Sequence, residues 1–252
     1  MPAKPKEATP ICRVCGGSLN GSLYISEDGQ QYCCEGCHLN QVAADTLQHS
    51  QQLQDQSVVE VLVNALDARE HETGLHSKRV ACHTLTLARH FTDDPDELTS
   101  IYYGALLHDI GKLAIPDRIL LKPGSLDAQE RAEMETHPQR GYDILIPIPQ
   151  LNASAAIVLA HEERFDGGGY PNKLAGNLIP LGARLLAVID TLDAMTSDRV
   201  YRPGLAFDAA REEIVALSGK QFDPAVVDVF LTEEQTLRKM VALKCTQPHS
   251  FL

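Results

Sequence analysis

The sequence predicts a mainly α protein, a helical bundle preceded by a small N-terminal zinc-knuckle module. Three observations predict it. From Val58 onward apolar residues recur at helical spacing in one segment after another, as at Val58, Leu62, Ala65 and Leu66. Alternating apolar and polar positions, the mark of a strand, are nearly absent outside the cysteine region. Five of the seven cysteines (Cys12, Cys15, Cys33, Cys34 and Cys37) crowd into one short stretch.

Taken in order, residues 8–42 form the cysteine-rich module, punctuated by turn signals at Gly16-Gly17, Asn20-Gly21 and Asp28-Gly29. Residues 43–57 are rich in glutamine and poor in large apolar side chains, and read as a polar helix or linker. Residues 58–252 are the helical domain. Its second helix is expected from about His76 to His90. A third opens at Asp94-Pro95-Asp96-Glu97, with an N-cap, proline at the first helical position and glutamate at N3, and ends at His108-Asp109. Asp127 followed by Glu130 repeats the capping box. Further helices are expected at about 151–163, 182–196, 206–217 and 224–239. No internal repeat is evident.

Composition narrows the function. A net charge of −12 argues against a nucleic-acid polymer as partner. It also means that a phosphate substrate needs locally placed metal ions or arginines. No apolar run approaches the ~20 residues that span a bilayer, so no membrane partner is expected. The opening Met1-Pro2-Ala3-Lys4-Pro5-Lys6 does not read as a signal peptide, and a cytoplasmic protein is expected. In that setting clustered cysteines read as metal ligands sooner than disulfides.

Histidines and carboxylates recur where helices end. His108-Asp109 closes an apolar helix, and a carboxylate can bridge two ions. Glu72 and His76, four apart, share one face if that segment is helical. His137 precedes Pro138, and His161-Glu162-Glu163 ends the apolar run from Ala155 to Ala160. Asp190 interrupts Leu185-Leu186-Ala187-Val188-Ile189, where a charge is costly unless paired or metal-bound. Singly, each reads as a buried histidine or capping carboxylate. Together they describe a di-metal site built from several helices.

These residues resemble the HD-GYP family of HD phosphohydrolases. Leu107-His108-Asp109-Ile110-Gly111-Lys112 looks like the family's HDIGK segment, and His137-Pro138-Gln139-Arg140-Gly141 like its HPxxG segment. Asp166-Gly167-Gly168-Gly169-Tyr170-Pro171 holds the naming GYP triplet, and Asp190 to Arg199 with Tyr201-Arg202 matches the late signature. The resemblance covers roughly residues 58–231. It implies an HD-type bundle with two or three iron or manganese ions, hydrolysing cyclic di-GMP to linear pGpG and onward to GMP. Carried over by position, the ligands are His76, His108, Asp109, His137, His161 and Asp190. Lys112 would donate to the reacting phosphate, Arg199 and Arg202 would hold the substrate phosphates, and Tyr170 would lie beside the site. One position departs from the pattern: Glu162 stands where the family usually has a second histidine, and a carboxylate remains a competent oxygen ligand. Glu72 resembles the ligand of members holding three metals. His83 and His90 match no family ligand and read as partly exposed helix residues, Cys82 as buried filler, and Asp193 as a brace for the helix or a ligand.

In the front module, Cys12-Arg13-Val14-Cys15 and Cys33-Cys34-Glu35-Gly36-Cys37 present thiolates for a tetrahedral Zn²⁺. The segment resembles the cysteine-rich domain of some cation-transporting ATPases, related to YHS and TRASH modules, which implies Cys12, Cys15, Cys33 and Cys37 as ligands. The plain CxxC spacing uses Cys34 in place of Cys33, and both remain open. A structural knob that helps form a homodimer or dock a signalling partner, and a metal or redox sensor, are both consistent with it. A catalytically weak cyclic-dinucleotide or metal sensor acting through a protein partner is the alternative to the enzyme.

Overall fold

A computed structural model describes residues 11–12, 14–16, 19, 24–25, 31–32, 35–70, 75–198 and 203–244. The chain separates into two compact units, Met1–Val58 and Val59–Leu252.

In the first unit, β1 (Tyr24–Ile25) pairs antiparallel with β2 (Gln31–Tyr32), Tyr24 opposite Tyr32. Cys12 and Tyr32 are buried. Gly16, at φ 68, turns the backbone so that its N–H donates to the Cys12 carbonyl at 2.9 Å. Helix α1 (Glu35–Glu70) begins within the second cysteine cluster, taking in Cys37, and runs through the glutamine-rich stretch. Glutamine is a good helix former, and Gln41 donates to Asp45 one turn on at 2.7 Å.

In the second unit, the end of α1 buries Val59, Val63 and Leu66, a spacing of four and three that faces one side. Helices α2 (Leu75–Ala88), α3 (Pro95–Leu106), α7 (Asn152–Ala160) and α8 (Leu181–Thr196) make the centre of the bundle. α2 packs on α3 and α8, and α3 packs on α7. Leu87, Leu107, Ile110, Val158, Leu185 and Ile189 are sealed in the core they share, each such side chain contributing roughly 1.5–3 kcal/mol. Around them lie α4 (Asp117–Leu120), α5 (Ala128–Met134), α6 (His137–Leu145), α9 (Phe207–Ala216), α10 (Pro224–Thr232) and α11 (Glu234–Leu243).

Both predicted caps form. The Asp94 side chain accepts from the Asp96 N–H without a reciprocal bond from Glu97, and Asp127 with Glu130 makes the full capping box.

Five expectations are corrected. α3 stops at Leu106, and His108-Asp109 sits in the turn leading to a 3₁₀ helix, Ile110–Ala114. α7 likewise ends at Ala160, leaving His161 at its C-cap. The expected helix 224–239 is two, broken at Glu233. No glycine or proline marks that break. Tertiary pairs hold it, Glu233 with His90 at 2.8 Å and Glu234 with Arg211 at 2.9 Å. His90 lies beyond the end of α2 and is half-buried. His83 is fully buried because α2 is covered by α3, α8 and α10.

Candidate metal centre

Three histidines reach the site from the same local geometry. His108, His137 and His161 each stand at a helix end, where Nδ1 meets the carbonyl three residues back: Ala105 at 2.8 Å, Met134 at 2.8 Å and Val158 at 2.7 Å. A carbonyl only accepts, so each Nδ1 carries a proton, and Nε2 is the ring nitrogen turned to the centre. His76, on the first turn of α2, is fixed differently. Its Nδ1 lies 2.7 Å from Asp193 Oδ2, leaving Nε2 at 3.3 Å from Asp190 Oδ1. Asp193 is held in turn by Arg79, whose Nε donates at 2.7 Å, and by the Ser197 hydroxyl at 3.2 Å. Asp190 and Asp193 stand three apart on α8 and so share a face.

These side chains form two groups, His76 with His108 and Asp190, and Asp109 with His137 and His161, with ligand atoms in each group within 4.8 Å of one another. Asp109 spans them. Its Oδ2 lies 3.3 Å from His108 Nε2 and 2.7 Å from Lys112 Nζ, and its Oδ1 lies 3.5 Å from His137 Nε2. Gly111 makes this approach possible, because a Cβ there would lie 1.9 Å from the His137 carbonyl oxygen. Glu162 Oε1 stands 3.9 Å from both His137 Nε2 and His161 Nε2, and its carboxylate interacts with Tyr170. The Tyr170 ring meets His137 edge-on, with centroids 6.4 Å apart.

The protonation landscape divides along the same line. Burial alone would lower the His76 imidazole, but hydrogen bonds to Asp190 and Asp193 overcome it and raise the pKa to about 10. His108, wholly buried, is also raised, because Asp109 and Asp190 outweigh desolvation. His137 and His161 fall to about 4, through burial and then a neighbouring imidazole. Asp109 is held well below the usual carboxylate range, since Lys112 and His108 outweigh its burial. Glu162 is raised by burial, with the negative charges of Asp109 and Asp190 adding to the effect.

The donor set fits metal ions. His137 Nε2 and His161 Nε2 face each other at 3.0 Å with both Nδ1 positions already donating. Two lone pairs at that distance repel unless a cation lies between them. Two bonds of about 2.1 Å meeting near a right angle span that separation. Imidazole and carboxylate together suit divalent transition metals.

Of the residues the sequence nominated, the structure brings together His76, His108, Asp109, Lys112, His137, His161, Glu162, Tyr170 and Asp190. Glu72, Arg199 and Arg202 lie outside the described residues. Arg79 and Glu163 were not nominated. A clue to Arg79 was its place one turn after His76, and Glu163 directly follows Glu162 in the run His161-Glu162-Glu163, whose first two residues read as ligands. In the first unit, Cys12, Cys15 and Cys37 form a third cluster within 4.8 Å. Cys33 and Cys34 lie outside the described residues.

Residues 40–226 match the HD domain family. The chain belongs to that family. Among relatives of this HD domain protein is a 3′3′-cGAMP-specific phosphodiesterase 2 of Vibrio cholerae, 41% identical over 68% of this chain and 33% of its own length. A cyclic di-GMP phosphodiesterase of Vibrio cholerae is 41% identical over 70% of this chain and 38% of its own length. One from Thermotoga maritima is 41% identical over 71% of this chain and 50% of its own length. The HD domain protein thus spans half or less of the length of these relatives. A solved cyclic GMP-AMP specific phosphodiesterase of V. cholerae shares the fold, with a TM-score of 0.57 at 21% identity over 75% of this chain and 51% of that one. Among the described residues no helix is long and apolar enough to cross a membrane.

Proposed function

We propose that this HD domain protein is an HD-GYP phosphodiesterase that hydrolyses cyclic di-GMP to linear pGpG and onward to GMP. The observation that carries the reading is Asp109, whose two oxygens address two separate histidine groups. Relatives that are cyclic di-GMP phosphodiesterases support the substrate class.

In this reading His76, His108 and Asp190 hold one ion, His137 and His161 hold another with Glu162 beside it, and Asp109 bridges them. Iron or manganese ions there supply the Lewis acidity that activates water and polarises the phosphate. Lys112, anchored on Asp109 at 2.7 Å, would donate to the reacting phosphate. Arg199 and Arg202 would hold the substrate phosphates and offset the chain's net charge of −12. Tyr170 lines the substrate side of the loop. Glu72 adds the ligand for a third ion. Residues 58–252 carry the activity, and residues 8–42 bind Zn²⁺ through Cys12, Cys15 and Cys37 with Cys33 or Cys34 completing the set, joined by the helical stretch 43–57. The setting is cytoplasmic signalling.

The test is turnover by protein loaded anaerobically with iron or manganese, given cyclic di-GMP and 3′3′-cGAMP in parallel, with products separated chromatographically and Asp109→Ala alongside. Linear pGpG or GMP from the unsubstituted protein alone supports the reading. Metal bound without turnover of either nucleotide overturns it.

A further inference from the structure

Glu163 is a carboxylate 4% exposed, next to the centre yet facing away from it. A buried charge is costly unless strongly hydrogen-bonded. Its partners are main-chain amides of the loop that follows: Asn172 N–H donates to Oε1 at 2.7 Å and Leu174 N–H to Oε2 at 3.1 Å. Both oxygens are thus engaged, and charge-assisted bonds of this kind are among the strongest available to a loop.

The adjacent Glu162 grips the same loop from the other side. Its carbonyl accepts the Tyr170 N–H at 3.3 Å, and its carboxylate and the Tyr170 hydroxyl perturb each other's protonation. Gly169 allows the fit, since a Cβ there would lie 2.4 Å from Arg164 N and 2.5 Å from Glu163 Cα. Two consecutive glutamates therefore hold one loop at three points. One faces inward to His137 and His161, and the other faces the loop backbone.

We propose that Glu163 is a positioning residue: by binding the amides of Asn172 and Leu174 it clamps the loop so that the Tyr170 hydroxyl holds Glu162 beside the His137–His161 side of the centre. The inference rests on the phosphodiesterase reading only in taking that side as a metal site. Both Glu163 oxygens are taken by the loop amides, so it acts through Tyr170 and Glu162.

Hydrogen exchange and manganese affinity test it without any turnover. In the unsubstituted protein the amides of Asn172 and Leu174 should exchange slowly although they lie in a loop. Glu163→Gln should release peptides spanning 170–176 while α7 and α8 keep their protection. Glu163→Gln and Tyr170→Phe should each weaken one manganese site by about 10-fold, the lower end for an outer-shell partner. Because they act in series, the double variant should be no weaker than either single one. Free exchange at Asn172 and Leu174 in the unsubstituted protein overturns the proposal, even if Glu163→Gln does not fold. So do additive effects on manganese affinity. Loss of cyclic-dinucleotide turnover in the parent would sink the phosphodiesterase reading and leave these two measurements standing.

Discussion

The two sides of the centre use the same residue types but are backed by different groups. On one side His76 leans on the carboxylate of Asp193, itself clamped by Arg79, and faces Asp190. On the other, His137 and His161 lean on neutral carbonyls and face each other. Burial would make every one of these imidazoles a weaker base. Carboxylates reverse that for His76, raised to about 10, whereas burial wins for His137 and His161 at about 4. The difference teaches that nearby carboxylates, in front of the ring as well as behind it, decide whether burial wins: His108, carbonyl-backed like His137 and His161, is raised because Asp109 and Asp190 lie close to it.

Removing the shared ligand breaks both sides at once. Asp109→Ala should lower turnover by at least ~10³-fold, since a Lewis acid supplies several kcal/mol of transition-state stabilisation. Metal analysis of the same sample should show loss at both positions, and retention of two ions would contradict the bridging role.

Asp193→Asn makes the first side resemble the second. It removes the charge behind His76 while leaving an acceptor of similar shape. Metal affinity at the His76 position should fall about 10–100-fold, the usual range for an outer-shell carboxylate. Competition with a chelator would measure it, and an equal loss at the His137 position would erase the distinction.

His83 is the internal control. It sits two turns along the same helix as His76, within the field of Asp193 and Arg79, but neither ring nitrogen has a hydrogen-bond partner among the described residues. Burial wins there, followed by a smaller opposing pull from Asp193, and the pKa falls to about 4. The folded pKa lies below the unfolded value, so the unfolded chain binds the proton first. Stability is therefore lost as pH falls from about 6.5 toward 4. At pH 5 the loss should be about 2 kcal/mol. His83→Leu should flatten the acid limb of denaturant unfolding by that amount, and an unchanged slope would refute the buried neutral imidazole.

Glu162→His sharpens the second side by giving it a third imidazole. Turnover should change by less than about 10-fold, while affinity should shift toward zinc, which imidazole suits better than a carboxylate does. An unchanged zinc-to-manganese ratio, read by calorimetry, would remove Glu162 from the ligand set.

Much of this was legible in the sequence, and the boundary is physical. Helix periodicity, the caps at Asp94 and Asp127, and the histidines and carboxylates at helix ends are local signals. Local signals survive folding. The i−3 carbonyl bonds of His108, His137 and His161 depend on where each helix stops, a residue or two from where periodicity places the end. The burial of His83 depends on how many helices cover α2, and the break at Glu233 on partners from distant segments. Arg79 and Glu163 act through a carboxylate and a loop backbone that only the fold brings to them.

The most direct test of the two-sided centre is anomalous diffraction from manganese-loaded crystals. The account predicts two peaks sharing Asp109, one bounded by His76, His108 and Asp190 and the other by His137 and His161. A single peak, or two that do not share Asp109, would contradict it.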